Sequence, residues 1–436
     1  MNKPTPCDVL IVGGGLVGAS LAACLARDPA LNIVVLEKAV LPVSKPGGEQ
    51  NTTLHPSYDA RNTALANGTC HVFEQLGLWQ TLREQATPIL QVKVSDKGGF
   101  GRTQITAEAE RVRALGYIVE NRWVGTVLLE HLAGCPNVTW LAPGEVTQVQ
   151  FKSTHVQVSA KVGEKALQFQ SPLLVAADGA QSSTRSLLGI GSTVTPYHQT
   201  GIVTTLTPDR PHHHCAWERF TESGPLALLP QTDNRLGVTW CVETEAAEAL
   251  LAADDATFLK AIQGAAGNDA GTFIKVGKRY SYPLALTLSD EQVRPNLVVL
   301  GNSAHGMHPV AGQGLNMSMR DVAALTQTLF AARELGENYG DLKWLQHYMA
   351  LRGWDQNNTV HFSDKVTRLF SNANAVMSFA RNSGLLMFDV LPGAKRFLAR
   401  YAMGRAASTT LPEPPLSQGQ GAPSINTGVH SQKAVQ

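Results

Sequence analysis

Residues 9 to 26, VLIVGGGLVGASLAACLA, run for eighteen positions without a charge, between Asp8 and Arg27. Such a run has incompatible readings. Lys3 upstream and Leu21-Ala22-Ala23-Cys24 suit an exported lipoprotein, and eighteen apolar residues sit at the lower limit for a membrane span. Gly13, Gly14 and Gly15 argue against both, because each glycine costs a helix about 1 kcal/mol relative to alanine.

The flanking sequence favours a third reading. CDVLIV reads as a buried strand, GGGLVG as a tight turn, ASLAACLARD as a helix and NIVVLEK as a second strand ending in an acid. Within this βαβ unit Gly13, Gly15 and Gly18 make GxGxxG. The first allows the turn, the second lets backbone approach a pyrophosphate, and the third lets helix and strand pack closely. The helix N-terminus offers unpaired N–H groups to phosphates. Glu37, followed by Lys38, closes the second strand, where a carboxylate accepts from a ribose 2′-OH. Later glycine pairs at 189, 312 and 419 lack the third glycine and the following acid, so one dinucleotide fold is expected. A nicotinamide cofactor would then visit transiently.

The totals narrow the class. A chain of 436 residues exceeds the size at which one core stops growing. With 36 basic against 35 acidic residues there is no global field to draw it to nucleic acid. Six widely spaced cysteines without a CxxC pair fit a reducing compartment rather than a disulfide framework or structural zinc. The expectation is a cytoplasmic protein.

Two distant segments extend the site. LLVAADGAQSSTR, 173 to 185, reads as a strand, a turn at Asp178-Gly179 and a short helix, with a carboxylate at a strand's carboxyl end. NLVVLGNSAHGMHPVAGQGLNMSMRD begins as a buried strand at 297 to 300 and becomes a long helix from about Gly314. Gly312, Gln313 and Gly314 lie where that helix starts, so its N–H groups can face a ligand with developing negative charge. Pro309 and the glycines leave room for a flat ring.

With these three segments in order over residues 7 to about 335, the sequence resembles the single-component FAD-dependent aromatic hydroxylases typified by para-hydroxybenzoate hydroxylase. The resemblance implies FAD held by Gly13, Gly15, Gly18, Glu37, Lys38, Asp178, Gly179, Asn302, Pro309, Gly312, Gln313, Gly314, Leu315 and Asn316, with NAD(P)H and O₂ as co-substrates. Where the family usually has Gly-Asp this chain has Gly301-Asn302. SYDARNTALANGTCHVFEQLGLW, 57 to 79, places Arg61 at the expected start of a helix. Its DxRxxAL pattern is typical of the ubiquinone-biosynthesis branch, and Arg61 then matches an arginine that reaches FAD. That branch implies a polyprenylated phenol substrate, 2-polyprenyl-6-methoxyphenol, a biosynthetic protein complex and peripheral contact with the inner membrane.

The implied architecture is α/β: a Rossmann-like FAD-binding domain (1–80, 105–188, 285–335) with an inserted mixed or antiparallel-sheet substrate domain (81–104, 189–284). C-terminal helices (336–405) and a disordered tail (406–436) follow. GIVTTLT, PLALLP and RLGVTWCV supply the alternating strands. From Asp364 to Arg405 seven basic residues face two acids, which suits a membrane or partner surface as well as a solvated face. His212-His213-His214-Cys215 reads as strand, where neighbouring residues face opposite sides, and lacks a second ligand cluster, so no metal is expected. His305 and His308 flank the flavin loop. No carboxylate or histidine of the middle region stands out as a catalytic base, and catalytic roles stay unassigned. A flavin halogenase is disfavoured by the missing WxWxIP segment. Another ring hydroxylase of the ubiquinone pathway is one alternative, and a flavin-binding scaffold of a biosynthetic assembly without turnover is the alternative from another class.

Overall fold

The computed structural model describes residues 3–40, 61–99, 101–309, 312–370, 403 and 409–415. Val9–Val12, Ile33–Leu36, Val138–Leu141, Leu173–Ala176 and Leu297–Val299 pair in parallel, and Val293–Arg294 adds an antiparallel edge. The first three strands in chain order extend to one side of the sheet and the last two to the other. The order therefore reverses between Val9–Val12 and Leu173–Ala176, and the crevice at such a reversal is where open α/β sheets take their ligands.

Every residue of these two central strands is buried, as continuous apolar runs require when both faces of a sheet are covered. Val9 and Ile11 pack with the Leu16–Leu25, Asn121–Ala133 and Gln313–Glu334 helices through Leu21, Leu25, Val124, Leu128, Val322 and Leu325. Leu10 and Val12 face the other way, onto Val146, Val158 and Phe169 of a four-stranded sheet. The opening run is thus a strand, a turn and a helix, and Cys24 lies fully buried in the helix's packing face. Among the described residues no helix is long and apolar enough to cross a membrane.

A nine-stranded sheet forms the second layer. Ser192–Pro208, Cys215–Thr221, Gly224–Gln231, Arg235–Glu243 and Tyr280–Ser289 make its antiparallel centre. Gln91–Asp96 joins from far upstream, parallel to Cys215–Thr221, and Arg102–Thr106 pairs beyond it. One face packs on the Thr244–Ala252 and Asp255–Ala266 helices through Leu226, Val238, Trp240, Ala247, Phe258 and Ile262. The opposite face looks toward the crevice. His305–Gly306, downstream of Leu297–Val299, pairs with Thr287 and Leu288, so the third motif is stitched into both sheets.

Three local expectations change. Arg61 precedes a strand, Asn62–Ala66, and the helix begins only at Asn67, because antiparallel pairing with Gly116–Glu120 overrides the helical pattern. His213 and His214 occupy a turn at positive φ rather than a strand. Residues 409–415, expected as disordered tail, dock instead. Leu411 is buried and its N–H donates to Gln75, which donates to the Thr409 carbonyl, while Arg27 donates to that of Pro412. The first of the C-terminal helices is Leu342–Phe370. Residues 371–402 of the basic segment and 416–436 of the tail lie outside the described residues.

Candidate functional site

Gly13 leaves the first strand at φ +102°, and a Cβ there would stand 2.4 Å from the Ala177 carbonyl oxygen. Only glycine lets the two central strand ends come so close. A Cβ on Gly18 would lie 1.9 Å from the Gly13 carbonyl oxygen, so the third glycine seats the helix on the strand. Gly15 is the N-cap of that helix and carries no side-chain cap, which leaves the first helical N–H groups toward the crevice. Glu37 accepts from Gly14 N and Ala39 N, both at 2.6 Å, and so braces the turn. Lys38 pairs with Glu145 at 2.8 Å in solvent, which contributes little to stability.

The second and third motifs are latched together. Asp178 accepts from Ser182 and from Thr184 N at 2.9 Å, which fixes the turn against the following helix. Ser303 accepts from Gly179 N at 2.9 Å and donates to Asp178 at 3.2 Å. Buried Arg185 spans the Ser303 and Ala180 carbonyls. Neither Ser303 nor Arg185 was legible as a site residue beforehand, since each acts through a segment more than a hundred positions away.

The long helix starts at Gln313, with Gly312 as N-cap at φ +59°. Asn316 donates to the Ala64 and Gly312 carbonyls and accepts from Ala66 N and Thr69 Oγ1, each at 2.8 Å. Two donors and two acceptor positions exhaust an amide. Asn316 is therefore a clamp between this helix and the Asn62–Ala66 strand, with no side-chain hydrogen bond left for a ligand.

A cavity of about 1070 Å³ joins these parts. Gly13, Gly15, Glu37, Lys38 and Glu145 line one end, and Arg61, Asp178, Gly179, Asn302, Pro309, Gly312, Gly314, Leu315 and Asn316 line its middle. Gly18 and Gln313 are not among its lining residues; both are buried behind it. The far end is the free face of the nine-stranded sheet: Val92, Val94, Ile105, Val203, Ala216, Phe220, Ala227 and Leu229, with Thr239 and Tyr282. An open helix N-terminus, a glycine turn and a braced carboxylate at one end, and an apolar chamber at the other, fit an extended dinucleotide whose ring reaches the chamber.

His308 lines the cavity, stacks edge-on to Tyr197 at 5.1 Å and meets Gln199 at 3.3 Å. Burial pushes its imidazole down to about 4, so it is neutral near pH 7. His305 is buried deeper, 3.6 Å from Asp321, and burial lowers it also, against the pull of that carboxylate. Glu218 is a finding of the structure. It stands on the chamber wall, and burial pushes its carboxyl up to about 7. The signal for it was a lone acid at an inward-facing phase of CAWERFT.

Residues 6–342 match the family model described as FAD binding domain. The chain is 37% identical over 408 residues to the ubiquinone hydroxylase UbiL of Rhodospirillum rubrum, covering 94% of this chain and 91% of that one. It is 28% identical to the 3-demethoxyubiquinol 3-hydroxylase of Escherichia coli over 92% of this chain and 99% of that one. In fold it is similar to p-nitrophenol 4-monooxygenase of Pseudomonas putida, with a TM-score of 0.73 at 18% identity over 92% of this chain and 99% of that one. Together with the glycine turn and the chamber that it opens into, these likenesses place the chain in the family of FAD-dependent monooxygenases that hydroxylate aromatic rings, with NAD(P)H as reductant.

Proposed function

We propose that this chain hydroxylates the ring of a polyprenylated phenol in ubiquinone biosynthesis, namely 2-polyprenyl-6-methoxyphenol at the carbon para to its hydroxyl. The observation that carries this reading is the continuity of one cavity from the dinucleotide turn to an apolar chamber. The names of the relatives supply the pathway. Ring electronics supply the position: prenyl and methoxy groups occupy both ortho carbons, so para is the open activated carbon.

On this reading Gly13, Gly15 and the helix N-terminus receive the pyrophosphate, and Glu37 takes the ribose with Lys38 at the mouth. Arg61, Asp178, Gly179 and Asn302 address the ribityl chain and the middle of the cofactor. An amide at Asn302 still bonds a hydroxyl but adds no charge. Pro309, Gly312, Gly314 and Leu315 border the ring, while Gly18, Gln313 and Asn316 hold the helices that present it. Reduced FAD and O₂ supply the electrophilic oxygen. The protein's part is to hold the phenol in the chamber, exclude water and take up its proton. Residues 81–104 and 189–284 make up the substrate unit. Membership of a biosynthetic assembly and contact with a membrane surface belong to the same proposal, supported by the basic, apolar sequence from Asp364 onward.

The test is turnover of the holoenzyme with NAD(P)H, ¹⁸O₂ and a short-tailed 2-prenyl-6-methoxyphenol. Label at the para carbon is expected. Label at another ring carbon would move the enzyme to a different step of the pathway, and consumption of NAD(P)H without labelled product would remove the substrate assignment.

A further inference from the structure

The inner face of the nine-stranded sheet is largely apolar, and Glu218 is its one carboxylate among the described cavity-lining residues. Across the strands, Val94, Glu218, Ala227, Thr239 and Val203 stand in register as one row. The neighbouring inward positions on the Cys215–Thr221 strand are Ala216 and Phe220. The Glu218 carboxyl makes no hydrogen bond or ion pair among the described residues. An unpaired acid in a chamber is costly, and it is the arrangement expected of a group awaiting a ligand's donor.

The titratable and charged groups on the elements packed around it do not pair with it. They are Lys93 and Asp96 on the upstream strand, Arg102 beyond, Cys241 on Arg235–Glu243, Tyr282 on Tyr280–Ser289, and His308 and Lys365 across the cavity. Cys241 is buried and uncharged, its thiol pushed up chiefly by burial and further by Glu218.

We propose that Glu218 accepts the hydrogen bond of the phenol hydroxyl and takes its proton as the ring is hydroxylated. This rests on the substrate reading above. The phenolic O–H bond breaks and a carboxyl O–H forms as the ring carbon gains its C–O bond; the oxygen comes from O₂, whose O–O bond breaks with the other atom leaving as water, and the two electrons come from NAD(P)H by way of the flavin. The hydrogen lost from that carbon leaves to solvent as the ring regains aromaticity, and the carboxyl returns its proton to the oxygen. A carboxyl poised near 7 is suited to both directions.

The experiment compares wild type with Glu218→Gln as FAD-loaded proteins. An amide oxygen still accepts from the hydroxyl, so KM stays within about threefold while hydroxylation falls roughly 100-fold, the low end for a lost general base. Wild-type hydroxylation rises with pH through about 7 as the carboxylate forms, and the variant loses that limb. NAD(P)H oxidation continues in the variant, now yielding hydrogen peroxide. A variant with the wild-type rate and limb would overturn the proposal.

A second readout needs no turnover: spectrophotometric titration of bound 4-nitrophenol. A carboxylate beside the hydroxyl opposes its ionisation, so the variant should ionise the probe roughly tenfold more readily than wild type. Equal ionisation, or failure of the chamber to bind the probe, removes Glu218 from the phenol whatever the fate of the prenylated substrate. Conversely, a shifted probe with no prenylated product leaves Glu218 in place and overturns the substrate.

Discussion

Arg352→Met removes one of the polar links between the two long helices, Gln313–Glu334 and Leu342–Phe370. Arg352 is 2% exposed; its Nε donates to Asp321 Oδ1 at 2.6 Å and its Nη2 to Asp355 Oδ2 at 2.5 Å. Asp355 also accepts from Arg320 at 2.8 Å, and Asp321 from Gln356 at 2.9 Å. Two guanidinium and two carboxylate groups thus balance in a buried interface. Without Arg352, Asp355 keeps a cation but Asp321 keeps only an amide and His305. Removing one partner of a buried pair costs about 3–5 kcal/mol, which for a chain this large lowers Tm on the order of 3–6 °C.

The loss should depend on pH. Arg352 helps to depress His305, behind the burial that is the main cause, whereas Asp321 raises it. Once Arg352 is gone, Asp321 can hold a proton on His305. A histidine with a raised folded-state value stabilises at low pH, and that contribution disappears as pH rises through it. Calorimetry of holo wild type and variant at about pH 5.5 and about pH 8 should show the larger deficit at the higher pH. Adding Asp321→Asn should recover part of the loss by removing the stranded charge. Equal Tm for wild type and Arg352→Met at both pH values would refute the argument.

Gly18→Ala should lower Tm and FAD retention on gel filtration together, because a methyl 1.9 Å from the Gly13 carbonyl must push the helix off the strand, at about 1–3 kcal/mol or more; unchanged flavin content would show that the turn tolerates the shift. Truncation after Thr409 should cost about 1.5–3 kcal/mol through loss of buried Leu411, whereas truncation after Pro415 retains the docked segment and its bonds to Gln75 and Arg27. Equal unfolding midpoints for the two truncations would mean that the docking contributes no stability.

The dinucleotide turn was legible because its demands are local. A strand, a left-handed glycine, an open helix start and an acid within thirty residues each follow from sterics between near neighbours in the chain, and Gly13 and Gly18 stand where that reasoning puts them. The DG turn and the third helix start were readable for the same reason. Arg61 was misplaced because its strand exists only through pairing with Gly116–Glu120. Asn316 reads as a cofactor-binding amide at a helix start until Ala66 and Thr69, some 250 positions away, claim it. Ser303 becomes a latch only when Gly179 arrives beside it. Glu218 looks like any strand acid until the register with Ala227 and Val94 turns it onto an apolar wall. The sequence by itself determined where backbone must bend and where phosphates can be met. The tertiary structure decided which polar groups are spent on one another and which are left facing the chamber, because hydrogen-bond partners far apart in the chain are chosen by packing rather than by local conformation.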